Sequence, residues 1–351
     1  MHKLRVLYLL PCLLLIAPFC RAQSAVLNLP MPSQQAVVTQ RIGITDITIN
    51  YHRPLVKGRK IWGGLVPYGE VWRAGANVNT TISFTDPVTI EGKPIGAGTY
   101  GLHMIPTQDQ WTIIFSNANT SWGSFSYKQS EDALRVTVKP QPVDFHEALA
   151  YDFDDLTPDS AVATLRWEKL AVPFKVSVDV NKVVEASLQK QLRGLAQYTW
   201  DGWNDAADYL VSNKVDLDEA LRDTGRSIQV EERYENLMTK SQALDALGRK
   251  DEATKFRNDA LAKANALQLY GYAFQIQSEG RQEEAVAVFR SNAKKFPDSW
   301  ISHVGMGRVY SAQGDFDNAV KEMQLALAGA PSGAKSFVQG QIAQLQAKVD
   351  I

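Results

Sequence analysis

The sequence predicts two domains in series, an antiparallel β-sandwich followed by an α-helical repeat array, and three observations carry that reading. The chain has 351 residues, more than a single hydrophobic core usually organises. From Val37 to Val180 apolar residues recur with period two, the mark of half-buried strands. Beyond Asn181 they recur every three or four residues, in long segments rich in Ala, Leu, Gln, Lys and Glu.

The first element is an export signal over residues 1–22. Lys3 and Arg5 precede an apolar run from Val6 to Phe19, and Ala22 offers a small residue for cleavage. The run is about 14 residues, short of the ~20 a spanning helix needs, so no transmembrane segment is expected in the mature chain. Cys12 and Cys20 both lie in this signal. The mature chain therefore has no thiol for a disulfide, a zinc site or a nucleophile. Pro11 and Phe19 stand just before the two cysteines, where a lipoprotein signal wants a small residue. The expected location is the periplasm, with secretion or outer-membrane association as alternatives. With 37 Lys+Arg against 38 Asp+Glu there is no basic excess to hold a phosphate backbone, and nucleic acid is excluded as a partner.

A leader over residues 23–35 precedes the β-sandwich, residues 36–180. In Ile47, Ile49 and Tyr51 the odd positions are apolar while Thr48, Asn50 and His52 are polar. Similar alternation follows at 78–84, 100–104, 111–115, 134–138, 149–153, 165–167 and 174–178. About nine short strands broken by Gly, Pro, Asn and Asp, with no helical spacing between them, argue for antiparallel sheets.

The segment from residue 52 to 78 is far longer than a sandwich connection needs, and loops of that length are usually functional or disordered. Trp62, Tyr68 and Trp72 argue against disorder, and Pro54, Gly58, Gly63, Gly64, Pro67 and Gly69 suggest a compact coil of fixed shape. Arg53, Lys57, Arg59, Lys60 and Arg73 face only Glu70 within it. Aromatic faces stack planar or sugar rings, and guanidinium groups grip carboxylate or phosphate. Candidate ligand-binding residues are therefore Arg53, Lys57, Arg59, Trp62, Tyr68, Trp72, Arg73 and Asn77. The alternative is a plug of the sandwich's open end, with the tryptophans as core and the arginines paired to the acidic stretch 144–159.

That stretch holds Asp152, Asp154, Asp155 and Asp159 but lacks the spaced ligands and glycine of an EF-hand loop. Asp152 and Asp154 read more simply as the wet face of the strand bearing Tyr151 and Phe153. Gly96, Gly98 and Gly101 match the dinucleotide fingerprint by letter, yet they lead into a strand and not a helix. No cofactor and no metal are expected. His52, His103, His146 and His303 are scattered, without metal-ligand spacing or a hydrolase motif. His103 lies opposite the face of Tyr100, Leu102 and Met104, which places it toward solvent or the sandwich rim, with Asp109 and Ser116 near it in sequence.

Residues 181–199 are expected as a linker helix and 200–351 as the repeat array. Ala220, Ala253, Ala285 and Ala319, each preceded by two acidic or amide residues, fall 33, 32 and 34 residues apart. That is the period of a helix-hairpin repeat. Gly307, Tyr310, Gly314, Ala319, Ala326 and Pro331, with Ala273, Gly280, Ala285, Phe289 and Pro297 before them, resemble the tetratricopeptide pattern over residues 268–331. The likeness weakens upstream, where the unit around Ala253 keeps Gly248 but has no closing proline and the unit around Ala220 lacks the turn glycine as well.

A second resemblance covers the first domain. Pro32-Ser33-Gln34, Tyr51 with Arg53-Pro54, Gly58-Arg59 with Ile61-Trp62-Gly63, Val66-Pro67-Tyr68-Gly69 with Val71-Trp72-Arg73, and Gly75-Ala76-Asn77 with Thr80 resemble the bacterial family named domain of unknown function 2911. Gly98-Thr99-Tyr100 and Trp111 with Ile114-Phe115 continue the match, over residues 32–180 in all. The resemblance implies export and a boundary near residue 180, and it brings no activity. The expected function is an exported binding and adaptor protein: a sandwich whose basic, aromatic loop takes an anionic or carbohydrate-like ligand, and a helical repeat that docks a protein or peptide. The alternatives are a hydrolase of envelope or extracellular material, with His52 or His103 as base, and a purely structural envelope protein.

Overall fold

The computed structural model describes residues 29–351, and the expected export signal lies outside the described residues. The chain divides into two compact units, with the boundary between Val178 and Asp179. The first holds ten strands in two antiparallel sheets.

The larger sheet has six strands: β1 (Gln34–Ile42), β2 (Thr45–Arg53), β3 (Thr81–Phe84), β6 (Gly98–Pro106), β7 (Trp111–Ser116) and β8 (Asp132–Val138), adjacent in that order. The smaller sheet has four, in the order β5 (Lys93–Ile95), β4 (Val88–Ile90), β10 (Ser160–Ser177) and β9 (Gln141–Asp154). Alternation assigns the faces. Ile47, Ile49, Ile82, Leu102, Met104, Ile113 and Phe115 of the larger sheet are completely buried, as are Leu149, Leu165 and Phe174 of the smaller. Side chains of the two inner faces meet: Tyr51 and Tyr151 lie edge to face with ring centroids 4.8 Å apart, and Phe115 and Phe174 at 6.0 Å.

Three details differ from the sequence reading. Residues 165–167 and 174–177 belong to one strand, β10, with register shifts on either side of Glu168, whose φ of 55° breaks the alternation. The corner at Glu91-Gly92 joins a short hairpin, β4 to β5; both residues take positive φ, as a tight two-residue hairpin turn requires. The strand expected from Val78 begins at Thr81, and Val78 is exposed.

The second unit contains ten helices. α1 (Val180–Gln191) starts at an Asp179 cap and is followed by a short 3-10 turn, Leu195–Tyr198. Next come α2 (Trp200–Asn213) with α3 (Leu217–Val230), and α4 (Tyr234–Ala246) with α5 (Lys250–Lys263). Two further hairpins, α6 (Ala266–Ser278) with α7 (Gln282–Lys295) and α8 (Trp300–Ala312) with α9 (Phe316–Gly329), precede α10 (Ser332–Gln346), which packs on α9.

Ala220, Ala253, Ala285 and Ala319, the residues that set the sequence period, are all completely buried. Each lies near the start of a hairpin's second helix, where only a small side chain lets the paired helices close. The three later hairpins turn on Gly248, Gly280 and Gly314 in left-handed conformation; in the first, Lys214 and Asp216 take positive φ instead. This accounts for the missing glycine upstream. The region thus has the organisation of a repeat array. Among the described residues no helix is long and apolar enough to cross a membrane.

Candidate functional site

The long segment between β2 and β3 is an ordered coil pinned at intervals to both sheets. Leu55 bridges Ala148 of β9, with Val56 N–H donating to Glu147 O at 2.8 Å and Leu149 N–H to Pro54 O at 3.0 Å. Further on, Trp72 bridges Met104 of β6, each N–H donating to the other's carbonyl at 2.8 Å. Between these anchors Trp62 pairs with Val66, and the Tyr68 ring lies on Gly63, where a Cβ would come within 2.8 Å of the ring.

The anchors carry the tryptophans inward. Trp62, which is 9% exposed, meets Trp111 of β7 at 4.9 Å, Trp167 of β10 at 5.7 Å and Trp72 at 5.9 Å between ring centroids, each edge to face. Trp72 stacks on Trp167 and donates from Nε1 to Gly75 O at 3.2 Å. The four indoles form one cluster, and the half-buried face of Trp72 is left to line a cavity.

That cavity encloses about 460 Å³ and brings together five of the eight candidate residues, Lys57, Arg59, Trp72, Arg73 and Asn77, beside Trp167. Among the described residues no acidic side chain lines it. The other three candidates lie elsewhere. Arg53 Nε donates to Leu149 O at 2.9 Å, Trp62 is packed within the indole cluster, and Tyr68 is 41% exposed over Gly63.

The cations of the cavity are held in different ways. Lys57 stands in left-handed conformation with its backbone N–H donating to Glu147 Oε1 at 2.9 Å, and its ammonium group has no ion-pair partner among the described residues. Arg59 turns its guanidinium onto the carbonyls of Val56, at 3.0 Å, and Leu55. Arg73 borders the cavity, but its guanidinium lies over the Trp122 ring at 5.9 Å, and its Nε is buried without a partner. Burial lowers the Arg73 pKa from its ordinary value. Asn77, at φ 57°, donates from Nδ2 to Ser33 O at 2.9 Å and so ties the approach to β1 into the rim.

The expected pairing of Arg59 and Arg73 with the acidic stretch does not occur. Asp152 and Asp154 instead hold Arg166 of β10, at 3.3 and 2.5 Å, because the cross-strand register sets all three on the same outer face. Asp159 accepts from Thr157 Oγ1 at 2.8 Å. His103 also departs from expectation. It is 2% exposed, roofed by the segment after β7, and its Nδ1 is 2.9 Å from Ser124 Oγ; Ser116 Oγ instead accepts from Ala118 N–H, and Asp109 lies in the exposed β6–β7 turn. Burial drives the His103 pKa down to about 4, with Asp132 opposing. Gly96 and Gly98 shape the entry to β6, where Tyr100 Oη donates to Gly96 O at 3.0 Å.

Sequence reasoning missed the wall of the cavity formed by Trp167, some 95 residues beyond Trp72, and the role of Trp122 over Arg73. In the helical unit a second cavity, about 630 Å³, lies among α1, α2 and α3. Leu188, Leu192 and Trp203 line it together with Glu219, Asp223 and Arg226; the Arg226 guanidinium lies 4.7 Å over the Trp203 ring and 3.0 Å from Asp223.

Fold and site together define a two-sheet domain with a basic cavity that no acid lines among the described residues, followed in sequence by helical hairpins. Residues 33–176 match the model of a family described as a protein of unknown function (DUF2911), the family whose motifs the first domain carries. No curated protein matches the chain.

Proposed function

We propose that the chain is an exported, periplasmic binding and adaptor protein, in which a β-sandwich takes an anionic or carbohydrate-like ligand and a tetratricopeptide-like array docks a protein. The observation that carries the ligand half is the convergence of Lys57, Arg59, Trp72, Arg73 and Asn77 on a cavity with no acid in its wall. A group of cations without a counterion favours an anion, and an indole face beside them favours a ring. The adaptor half rests on composition and packing: the repeat places apolar groups such as Leu267, Phe274 and Leu325 on its surface.

The test is calorimetric titration of the mature chain, residues 23–351, with a panel of anionic sugars and small acids. Saturable binding that the Lys57→Ala, Arg59→Ala double variant loses supports the cavity, and no binding across the panel counts against it. Against a hydrolase that uses His103 as base stands its pKa of about 4, well below the near-neutral value at which a general base is effective.

A further inference from the structure

The outer face of the six-stranded sheet carries polar groups that the cavity does not use. In β2 and β3 Asn50 faces Thr81, and in β3 and β6 Thr81 faces Gly101. Continuing this register by one same-face step sets His52, Asn79 and His103 in a row, and Leu102 N–H still donates to Thr80 O at 2.8 Å there. Because Trp72 points into the indole cluster, its neighbour Arg73 emerges on the same outer face.

The segment after β7 closes over this row. Asn79 N–H donates to Ser121 O and Asn79 Nδ2 to Ala118 O, each at 3.2 Å, and Ser124 holds His103. The row converges on Gly101, where a Cβ would come within 2.5 Å of Ala118 O, 2.8 Å of Asn79 Nδ2 and 3.3 Å of His103 Nε2. Gly123 also brings the roof close, with Arg73 Nη1 3.1 Å from the position of its absent Cβ.

Among the described residues three polar atoms in this one place have no partner: His52 Nδ1, Arg73 Nε and Asn79 Oδ1, all buried. His52 and Asn79 are 5% and 6% exposed. An unpaired buried donor or acceptor is costly, and an unpaired buried cation more so. No carboxylate among the described residues pairs with Arg73, and its charge, after burial itself, lowers the His52 pKa. A free guanidinium donor calls for an oxyanion, whereas the Asn79 carbonyl oxygen calls for a donor such as a hydroxyl. Above them Trp122 and Phe125, 64% and 83% exposed, lie nearly parallel with centroids 6.0 Å apart. Exposed aromatic faces of this kind bind rings.

We propose that this outer face is a binding site for a hydroxylated ring bearing an oxyanion, a sugar acid or a sugar phosphate. Arg73 takes the anion, Asn79 and His52 take hydroxyl groups, and the Trp122 face carries the ring. The inference does not rest on the cavity, from which it differs in every residue but Arg73.

The experiment titrates the mature chain with glucuronate, with glucose 6-phosphate and with uncharged glucose, following the His52 and His103 imidazole resonances by NMR and affinity by calorimetry. At least one acid is expected to bind saturably and shift both resonances, and glucose to bind at least about tenfold more weakly. Whichever acid binds tighter decides between carboxylate and phosphate. Trp122→Ala, a change at an exposed position, is expected to weaken binding about tenfold at unchanged melting temperature. Arg73→Gln abolishes the shift of both imidazoles, whereas the Lys57→Ala, Arg59→Ala double variant retains that shift whatever it does to binding in the cavity. No shift of either imidazole with either acid overturns the proposal. So does binding that Trp122→Ala leaves intact and the Lys57→Ala, Arg59→Ala variant removes, since that places the ligand in the cavity.

Discussion

Trp72 of the long coil and Trp167 of β10 stack with their ring centroids 5.9 Å apart and their planes within 19°, so an indole from the coil completes the core between the two sheets. The coil is thus part of the packing of the domain and also a wall of its cavity. A substitution there acts on stability and on binding together, and the two must be measured apart.

Trp72→Ala removes one of four mutually packed indoles and leaves a void that Trp62, Trp111 and Trp167 cannot fill without moving. A loss of about 3–5 kcal/mol is expected in chemical denaturation, and Trp72→Phe, which keeps most of the volume, should cost clearly less. Equal stability of Trp72→Ala and the parent chain would remove the coil from the core.

The two units should respond to acid in opposite directions. His103 is held neutral in the folded β unit, with its pKa lowered from 6.5 to about 4. Its contribution is present above pH 6.5 and is lost as the pH falls through that interval, because the unfolded chain takes up the proton first. Asp223, on α3 in the helical unit, is raised from 3.8 to about 6, first by burial and then by Glu219, with Arg226 opposing. Its contribution is present below pH 3.8 and is lost as the pH rises through about 6. Each is on the order of 3 kcal/mol. Far-ultraviolet dichroism follows the helices and near-ultraviolet dichroism the indole cluster. Asp223→Asn should flatten the helical unit's loss between pH 4 and 6, and His103→Gln the β unit's loss on acidification. An unchanged pH slope in both variants would show that neither group is held as described.

Ala285 is completely buried against Ala273, Ile276, Phe289 and Val309. Ala285→Glu puts a charge there with no partner, and a loss on the order of 3 kcal/mol or more is expected, read as lost helical signal and a lower melting temperature. Glu283→Ala, two residues earlier and exposed, should change stability by no more than about 0.5 kcal/mol. If the two variants melt alike, the packing face of α7 is misassigned.

Much of the fold was legible because period is a local property. The alternation at Ile47, Ile49 and Tyr51 assigned the inner face of β2, and the spacing of Ala220, Ala253, Ala285 and Ala319 marked the hairpins. The misread elements are those where local pattern is broken or too short. Glu168 interrupts the alternation of β10, so one strand read as two, and β4 and β5 have three residues each, too few to show a period. Of the candidate site, composition found the cations and aromatics of the coil, four of which line one cavity together with Asn77. It did not find Trp167 or Trp122, because nothing near those residues in sequence records what they touch.

By itself the sequence determined the order of the two domains, the faces of most strands, the period of the hairpins and a coil rich in cations and indoles. All of these follow from residue types read over short windows. The tertiary structure alone decided which charges are satisfied. Arg166 holds Asp152 and Asp154, Arg59 turns to backbone carbonyls, and Arg73 lies against Trp122 with no acid paired to it among the described residues. The physical reason is range: an ion pair forms only within a few ångströms, and the strand register, not sequence distance, determines which groups come that close.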